Sequence, residues 1–451
     1  MVDFLGYFVY ICIEYMEKSK TFCAMPFVST MVNSDGKYRY CCIAEGTPDI
    51  IDLKNNGKVL HVTNSSIEET YNSDTIRDIR KKMIAGEDVP ACTKCQLQSK
   101  IGRQSYQDMM TNEWVWRLGA DKIDALVKEA AENDGWINDS PVYLDLRLGN
   151  LCNFRCRMCN PYNSSSIAKE HFDLWERDEK YKEIYKSEYG GNPTHLKDQG
   201  TWFESDMLWD QVEALIPSLK KVYMTGGEPT LIENNYYFME KCIEMGRKDI
   251  VLFFNTNCSN LTDKFLNILS KFDKVSINAS IDGYGKLNDY IRYPSHWEKI
   301  SGNFEKLAQL PNIDLGISPV VQVYNIFDID KIIDYVFEVN EKYNRNIFID
   351  FLIDTKPRNL DVKILPDSIR EAAKNKLQLY LDEKFKGNVH EYTKNSTYAI
   401  LNLLTEERLK TAELDLESFK SYTSILDKNR KQNFESVCIE LNEHLNKYYA
   451  K

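Results

Sequence analysis

The sequence has no hydrophobic run long enough to cross a membrane. Its opening apolar stretch, Phe4 to Ile13, has ten residues, about half of the roughly 20 that a spanning helix needs. No basic segment precedes it and no small-residue cleavage site follows it, so it does not read as a secretory signal. It is expected to be a buried strand or helix, or sequence upstream of a start at Met16 or Met25. No membrane partner is expected, and a cytoplasmic location is. Positive charge is also short: 57 Lys and Arg against 68 Asp and Glu give a net charge of −11. That balance disfavours a dedicated nucleic-acid binder, while leaving room for a local basic groove. There is no internal repeat and no low-complexity tract. Apolar, charged, Gly and Pro contents are near globular averages, with an aromatic excess carried by 27 tyrosines, so 451 residues suffice for a proper core in two or three structural units.

Cysteine is plentiful, with 12 in the chain. In a reducing compartment, grouped thiols point to metal or redox chemistry before disulfides. Cys23, Cys41, Cys42, Cys92 and Cys95 form one group, and Cys152, Cys156 and Cys159 a second. Cys12, Cys242, Cys258 and Cys438 stand alone and read as small buried apolar residues.

Asn33-Ser34-Asp35-Gly36 reads as a hairpin turn, which places Cys41 and Cys42 on the returning strand. Ser65 to Ala85 has the spacing of one amphipathic helix stopped at Gly86, and Cys92 and Cys95 follow on a Pro-led loop. From Val142 to about Phe351 short β-rich runs alternate with helical ones. Strands are expected at Val142 to Leu148, Lys221 to Met224, Ile250 to Asn255, Lys274 to Ser280, Leu315 to Val323 and Asn346 to Ile353. Helices are expected at Asn235 to Gly246, Thr262 to Phe272, Trp297 to Leu310 and Asp328 to Tyr343. Such alternation gives a parallel sheet with right-handed crossovers, and six strands make an open, partial barrel with its site at the C-terminal strand edge. A polar insertion, roughly Asn163 to Asp210, separates the first two strands, and after Pro366 the chain reads as helical.

Cys152-x3-Cys156-x2-Cys159 lies on the loop after the first expected strand. Three thiolates hold three irons of a [4Fe-4S] cube and leave the fourth iron open. A structural zinc wants four ligands, and no further Cys or His follows nearby to complete one. Here the chain resembles the radical S-adenosylmethionine (SAM) superfamily, with Met158 standing where the family commonly has an aromatic residue. After the second expected strand come Gly226, Gly227, Glu228 and Pro229, a Gly-Gly turn that lets backbone pass close to a ligand. It resembles the family's GGE motif, which contacts the SAM amino group. Ser280 and Asp282, with Asn257 and Arg292, fall where the family contacts the rest of SAM. The plain alternative is that such polar residues only end strands and cap helices.

Cys23, Cys41, the helix, and then Cys92-Thr-Lys-Cys95 resemble the SPASM/twitch extension, which holds an auxiliary [4Fe-4S] cluster. Cys42 is then the spare thiol. In the family this extension usually follows the barrel, whereas here it comes first. A zinc ribbon remains the alternative for this group.

The resemblance implies an α/β fold in three parts. Residues 1–115 form a small Cys-rich α+β auxiliary module, 140–355 a partial (β/α)6 TIM-type barrel, and 356–451 a helical C-terminal region that closes the barrel, forms a lid or docks a partner. The implied activity is reductive cleavage of SAM to a 5′-deoxyadenosyl radical that takes hydrogen from a peptide or small-molecule substrate, with the cofactors doing the hard chemistry. The enzyme would be an oxidoreductase or modifying enzyme, reduced by a flavodoxin or ferredoxin. Two other readings stay open: a non-catalytic iron-sulfur carrier or binding protein, and an RNA-modifying enzyme of the same superfamily.

Overall fold

The computed structural model describes residues 21–100, 105–193, 200–353, 355–387 and 389–450. The Phe4 to Ile13 stretch and Cys12 lie outside them. The chain divides into two compact units, the first made of residues up to Gly149 with Gly200–Gly226 and Tyr237–Leu252, the second of Asn150–Gln199, Gly227–Tyr236 and everything from Phe253.

In the first unit, β1 (Ser29–Val32) and β2 (Tyr38–Arg39) form the expected hairpin, antiparallel with Met31 opposite Arg39. Gly36 closes its turn at φ 77°, in the left-handed region that glycine enters freely. The ribbon β3 (Lys54–Asn55) and β4 (Lys58–Val59) turns on Asn56-Gly57, both at positive φ, as a tight two-residue hairpin requires. The first hairpin does not stand apart as a separate module. β1 runs parallel to β5 (Tyr143–Arg147), and β5 runs parallel to β6 (Lys221–Thr225), giving the order β2-β1-β5-β6.

Two expectations for this unit are corrected. Cys41 and Cys42 lie beyond the returning strand, which ends at Arg39. The expected single helix is two, Ile67–Tyr71 and Asp74–Ala85, because Asn72 turns its side chain to the Ile137 carbonyl and Ser73 starts a new helix. Gly86 stops the second helix at φ 76°. Arg80 on that helix is fully buried and donates to the carbonyls of Pro26, Tyr71 and Gly135 and to the Asn72 side chain. It also lies 4.5 Å over the Tyr71 ring, so it ties the segment after Cys23 to the helices.

β7 (Val251–Thr256) begins in the first unit and ends in the second, where the order continues β7-β8-β9-β10 with β8 (Val275–Ala279), β9 (Ile313–Ile317) and β10 (Phe348–Ile349). β8 and β9 are parallel, as are β9 and β10. All six expected barrel strands form within two residues of their expected starts, while the fifth ends at Ile317, well before Val323, and the sixth at Ile349, before Ile353. No pairing among the described residues closes the sheet into a barrel. Parallel strands usually read as continuous apolar runs, yet β8 alternates, burying Val275, Ile277 and Ala279 and leaving Ser276 and Asn278 half-buried. One face of the strand is therefore kept polar.

Beyond Pro366 the chain is helical as expected: Asp367–Lys384, Glu391–Thr405, Ala412–Arg430, Phe434–Val437 and Ile439–Tyr449. Among the described residues no helix is long and apolar enough to cross a membrane. Cys242, Cys258 and Cys438 are buried, in keeping with their reading as packing residues.

Candidate functional site

The Cys152–Cys159 loop is irregular, and neighbouring elements hold its backbone instead of its own ladder. The N–H groups of Arg155 and Arg157 donate to the carbonyls of Tyr293 and Ile291, at 2.6 and 2.8 Å. Ser166 and Ser164, at the start of the helix Ser165–Arg177, donate to the carbonyls of Cys152 and Phe154. Burial pushes the Cys152 thiol up to about 12, with Cys156 adding to it. Burial likewise raises Cys159, helped by Cys156 and Cys152. Burial also raises Cys156, but Arg292 opposes it, with a guanidinium nitrogen 3.8 Å from the sulfur. These thiols share one buried neighbourhood and stay protonated until a cation takes them, so cluster binding releases protons.

Gly226 and Gly227 prove to be demanded by the loop itself. A Cβ on Gly227 would stand 2.1 Å from the Leu151 carbonyl oxygen, and the next N–H, of Glu228, donates to that oxygen at 2.8 Å. Gly226 has φ 118°, and a Cβ there would lie 2.9 Å from the Gly149 oxygen. The close approach inferred from the sequence is thus made to the backbone leading into Cys152.

Glu228 is 1% exposed. Its carboxylate accepts from the Thr230 hydroxyl and N–H, the Thr256 hydroxyl and the Asn257 N–H, at 2.6, 3.2, 2.7 and 2.7 Å. A carboxylate has about four acceptor positions, so Glu228 joins the turn after β6 to the end of β7. Burial raises it, and those donors pull it back. Pro229 opens a short 3-10 turn and is buried.

Asn257 reaches the cysteine loop, donating to the Asn153 side chain at 3.0 Å. Asp282 is fully buried and pairs with Arg292 at 2.6 Å, without the alignment of a hydrogen bond. Burial raises Asp282 and Arg292 opposes the rise, while burial acts to lower Arg292 and Asp282, Cys156 and Cys159 outweigh it. We read the pair as ionised, with Arg292 the cation beside the thiols. The Ser280 hydroxyl is half-buried with no hydrogen bond among the described residues, and the Ser280 N–H holds β8 to the Thr256 carbonyl at 2.8 Å.

In the first unit, burial raises Cys23, the Met25 N–H opposes the rise, and Cys92 and Cys95 add to it. Burial pushes Cys92 up to about 11, with the Tyr40 side chain opposing the rise and Cys95 adding to it. Cys41 is raised first by a hydrogen bond with Cys42, then by burial, with Cys23 contributing. Cys42 is instead lowered, first by Cys41, and its sulfur is 3.4 Å from the Tyr106 hydroxyl, in the company of Asp145 and Arg147. Cys41 thus has Cys23 among its neighbours, while Cys42 has Asp145 and Arg147 of β5 and also helps to raise Cys95. Among the described residues no three His, Cys, Asp or Glu side chains gather as ligands of a single ion. A tetrahedral zinc with bonds of about 2.3 Å draws its thiolates to about 3.8 Å, whereas a cube spreads them over its corners. Both donor sets, all sulfur and buried or half-buried, suit the cube by their chemistry.

The sequence did not single out Asn153, Thr230, Thr256 or Arg157. Asn153 and Arg157 lie inside the cysteine motif but have partners far along the chain, whereas Thr230 directly follows Gly-Gly-Glu-Pro and bonds Glu228 within that turn.

Two groups of buried and half-buried thiols are donor sets of the kind an iron-sulfur protein needs. Residues 146–336 match the model of the radical SAM superfamily, and residues 23–96 match that of an iron-sulfur cluster-binding domain, SPASM. The chain carries a radical SAM domain with a SPASM domain ahead of it, and these domains imply a [4Fe-4S] cluster, SAM and auxiliary iron-sulfur as cofactors. The SPASM match begins at Cys23 and ends one residue beyond Cys95. Among solved structures the chain is similar to SuiB of Streptococcus suis bound to S-adenosylmethionine, at 12% identity and TM-score 0.34, covering 74% of this chain and 68% of that one. SuiB bound to its precursor peptide SuiA gives 11% identity and TM-score 0.33, covering 73% and 67%. Overlap so slight carries nothing over to this chain. Comparison with curated proteins gives no match.

Proposed function

We propose that Cys152, Cys156 and Cys159 hold the SAM-binding cluster, that Cys23, Cys41, Cys92 and Cys95 hold the auxiliary one, and that the enzyme takes hydrogen from a peptide or small molecule. When bound, cluster and SAM together supply reductive cleavage of a C–S bond and a carbon radical. The chain's own residues do the rest. Gly226 and Gly227 bring the turn after β6 against the backbone entering Cys152, with Pro229 and Glu228 fixing its exit. Asn257 holds Asn153 of the same loop, and Arg292, positioned by Asp282, offsets the thiolate charge. Ser280 presents a half-buried hydroxyl with no hydrogen bond among the described residues.

The observation that carries this reading is the thiol triplet, Cys156 buried and Cys152 and Cys159 half-buried, on the loop whose entry the Gly-Gly turn crosses. The electron donor we propose is a flavodoxin or ferredoxin. A cleft of about 460 Å³ beside the loop sets Arg155, Lys169 and Arg177 against Glu170 and Asp173, an excess of one positive charge toward such an acidic protein. The location proposed is the cytoplasm.

Reduced, reconstituted protein should release 5′-deoxyadenosine from SAM. Cys156→Ala should abolish the release, while Cys92→Ala should keep part of it and lose one cluster's iron. No release above background from the parent protein would favour an iron-sulfur carrier instead.

A further inference from the structure

The ladder of the second unit continues one residue past the strand ends. The N–H of Ser280 donates to the Thr256 carbonyl, that of Ser318 to Ala279 and that of Asp350 to Ile317, at 2.8, 3.1 and 2.9 Å. Continued in this register, Asn257, Ser280, Ser318 and Asp350 stand abreast along the C-terminal edge, each just beyond its strand. Side chains alternate along a strand, so the row lies on the face opposite the buried Ala279, Ile317 and Ile349. The row begins at the proposed cluster loop, where Asn257 bonds Asn153. Three strand spacings of about 4.8 Å put Asp350 about 14 Å from that end.

The far end of the row is chemically unfinished. The Ser318 hydroxyl oxygen is buried and has no hydrogen bond. A native structure that keeps such an unpaired atom commonly has a group missing beside it. The half-buried Asp350 carboxylate has neither hydrogen bond nor ion pair among the described residues, and burial alone raises its pKa. Other acids withdrawn from water in this unit meet cations: Asp282 has Arg292, Glu170 has Arg430 and Asp330 has Lys376. Phe348, two residues before Asp350, shares its face. A Cβ on Gly316 would stand 2.4 Å from the Phe348 ring, so glycine in β9 is what admits that ring. The Tyr392 ring, at the start of the helix Glu391–Thr405, is 5.9 Å from it. A carboxylate without a counter-charge, an unspent hydroxyl and aromatic faces together suit an organic cation.

We infer that Asp350 and Ser318 bind a cationic group of the substrate, a protonated amine or a guanidinium, and so select substrates by charge. The inference rests on the proposed function and narrows its peptide or small molecule to a positively charged one. Asp350 is a specificity residue in this role, since no bond to it forms or breaks.

The test uses the full chain, reconstituted anaerobically, loaded with SAM and immobilised. It is equilibrated with short random peptides carrying one fixed lysine, norleucine or glutamate, and bound peptide is counted by mass spectrometry. Lysine peptides should exceed norleucine peptides about 10-fold. Asp350→Asn should erase the difference, Asp350→Glu should restore part of it, and Asp350→Lys should favour glutamate. Should free cadaverine show Asp350-dependent binding where peptides show none, the cation belongs to a small molecule and the inference stands. A lysine preference kept in Asp350→Asn would overturn it, as would equal binding of lysine and norleucine with no Asp350-dependent binding of cadaverine. Should Asp350→Asn lose iron, Ser318→Ala decides, a weakened lysine preference supporting the inference and an unchanged one overturning it. Release of 5′-deoxyadenosine by the same preparation is read separately. Its absence would overturn the proposed function, whereas release without any charge preference would overturn this inference alone.

Discussion

Gly227→Ala is expected to cost the enzyme its SAM-binding cluster, with iron falling from about eight to about four per chain and 5′-deoxyadenosine release falling to background. The added methyl would lie 2.1 Å from the Leu151 oxygen and 2.4 Å from its carbonyl carbon. Both are backbone atoms, so no rotamer change relieves the clash. The peptide immediately before Cys152 must move, or the turn must withdraw and give up the Glu228 N–H bond to Leu151. Withdrawal also loosens Glu228, whose four hydrogen bonds join this turn to the end of β7. A displacement on the order of 1 Å is enough to spoil ligand geometry, and misplacements of that size cost about 100-fold in rate even where folding survives. Gly302→Ala is the control. It lies in the helix Trp297–Ala308 with open space where its Cβ would go, so iron and cleavage should both be normal. Iron and product release at parental levels in Gly227→Ala would show that the crossing is not what fixes the loop.

Arg157→Met should destabilise the protein by about 3–5 kcal/mol, the usual loss when one partner of a buried ion pair is removed. Arg157 sits between two of the proposed cluster ligands and is fully buried. It lies 3.7 Å over the Tyr290 ring, donates to the Tyr290 carbonyl at 3.0 Å and to Gln432 at 2.9 Å, and pairs with Asp427. The Tyr422 hydroxyl donates back to the Arg157 carbonyl at 2.7 Å. Asp427 also accepts from Tyr290 and from the Phe434 N–H. These contacts fasten the helix Ala412–Arg430 to the cysteine loop, which answers in part what the C-terminal helices are for. A second fastening is the Arg430 guanidinium, which donates to Glu170 at 3.0 Å. Methionine matches the stem of arginine but leaves Asp427 short of its cation. Arg157→Lys should recover little, because an ammonium neither forks between Asp427 and Gln432 nor stacks as a guanidinium does. Unfolding midpoints in denaturant measure the loss, and iron retention on standing shows whether the loop loosens with it. Parental midpoints for both variants would mean the ion pair is not holding the helix.

What the sequence disclosed was local. The Cys152-x3-Cys156-x2-Cys159 spacing, the Asn33 to Gly36 turn and the alternating β and α runs each depend on residues a few positions apart, and the described structure bears out the turn and the strands. What it hid was long-range. Nothing in Ser29–Val32 announces that it pairs with Tyr143–Arg147, more than a hundred residues on, to bring the N-terminal hairpin into the sheet. The break at Asn72 depends on the Ile137 carbonyl, and apolar spacing ran straight through it. Gly227 read as a ligand contact because glycine signals a close approach without naming what approaches. Arg157 looked like one more charge in a loop, since its partners Asp427 and Gln432 lie near the far end of the chain.

The most direct measurement is the low-temperature paramagnetic resonance spectrum of the dithionite-reduced protein, taken with and without SAM. Binding at a cluster with an open iron should change the signal assigned to Cys152, Cys156 and Cys159 and leave the auxiliary signal alone, and the SAM-sensitive signal should be missing from Cys156→Ala. A spectrum indifferent to SAM in the parent protein, or a SAM-sensitive signal surviving in Cys156→Ala, would contradict the account.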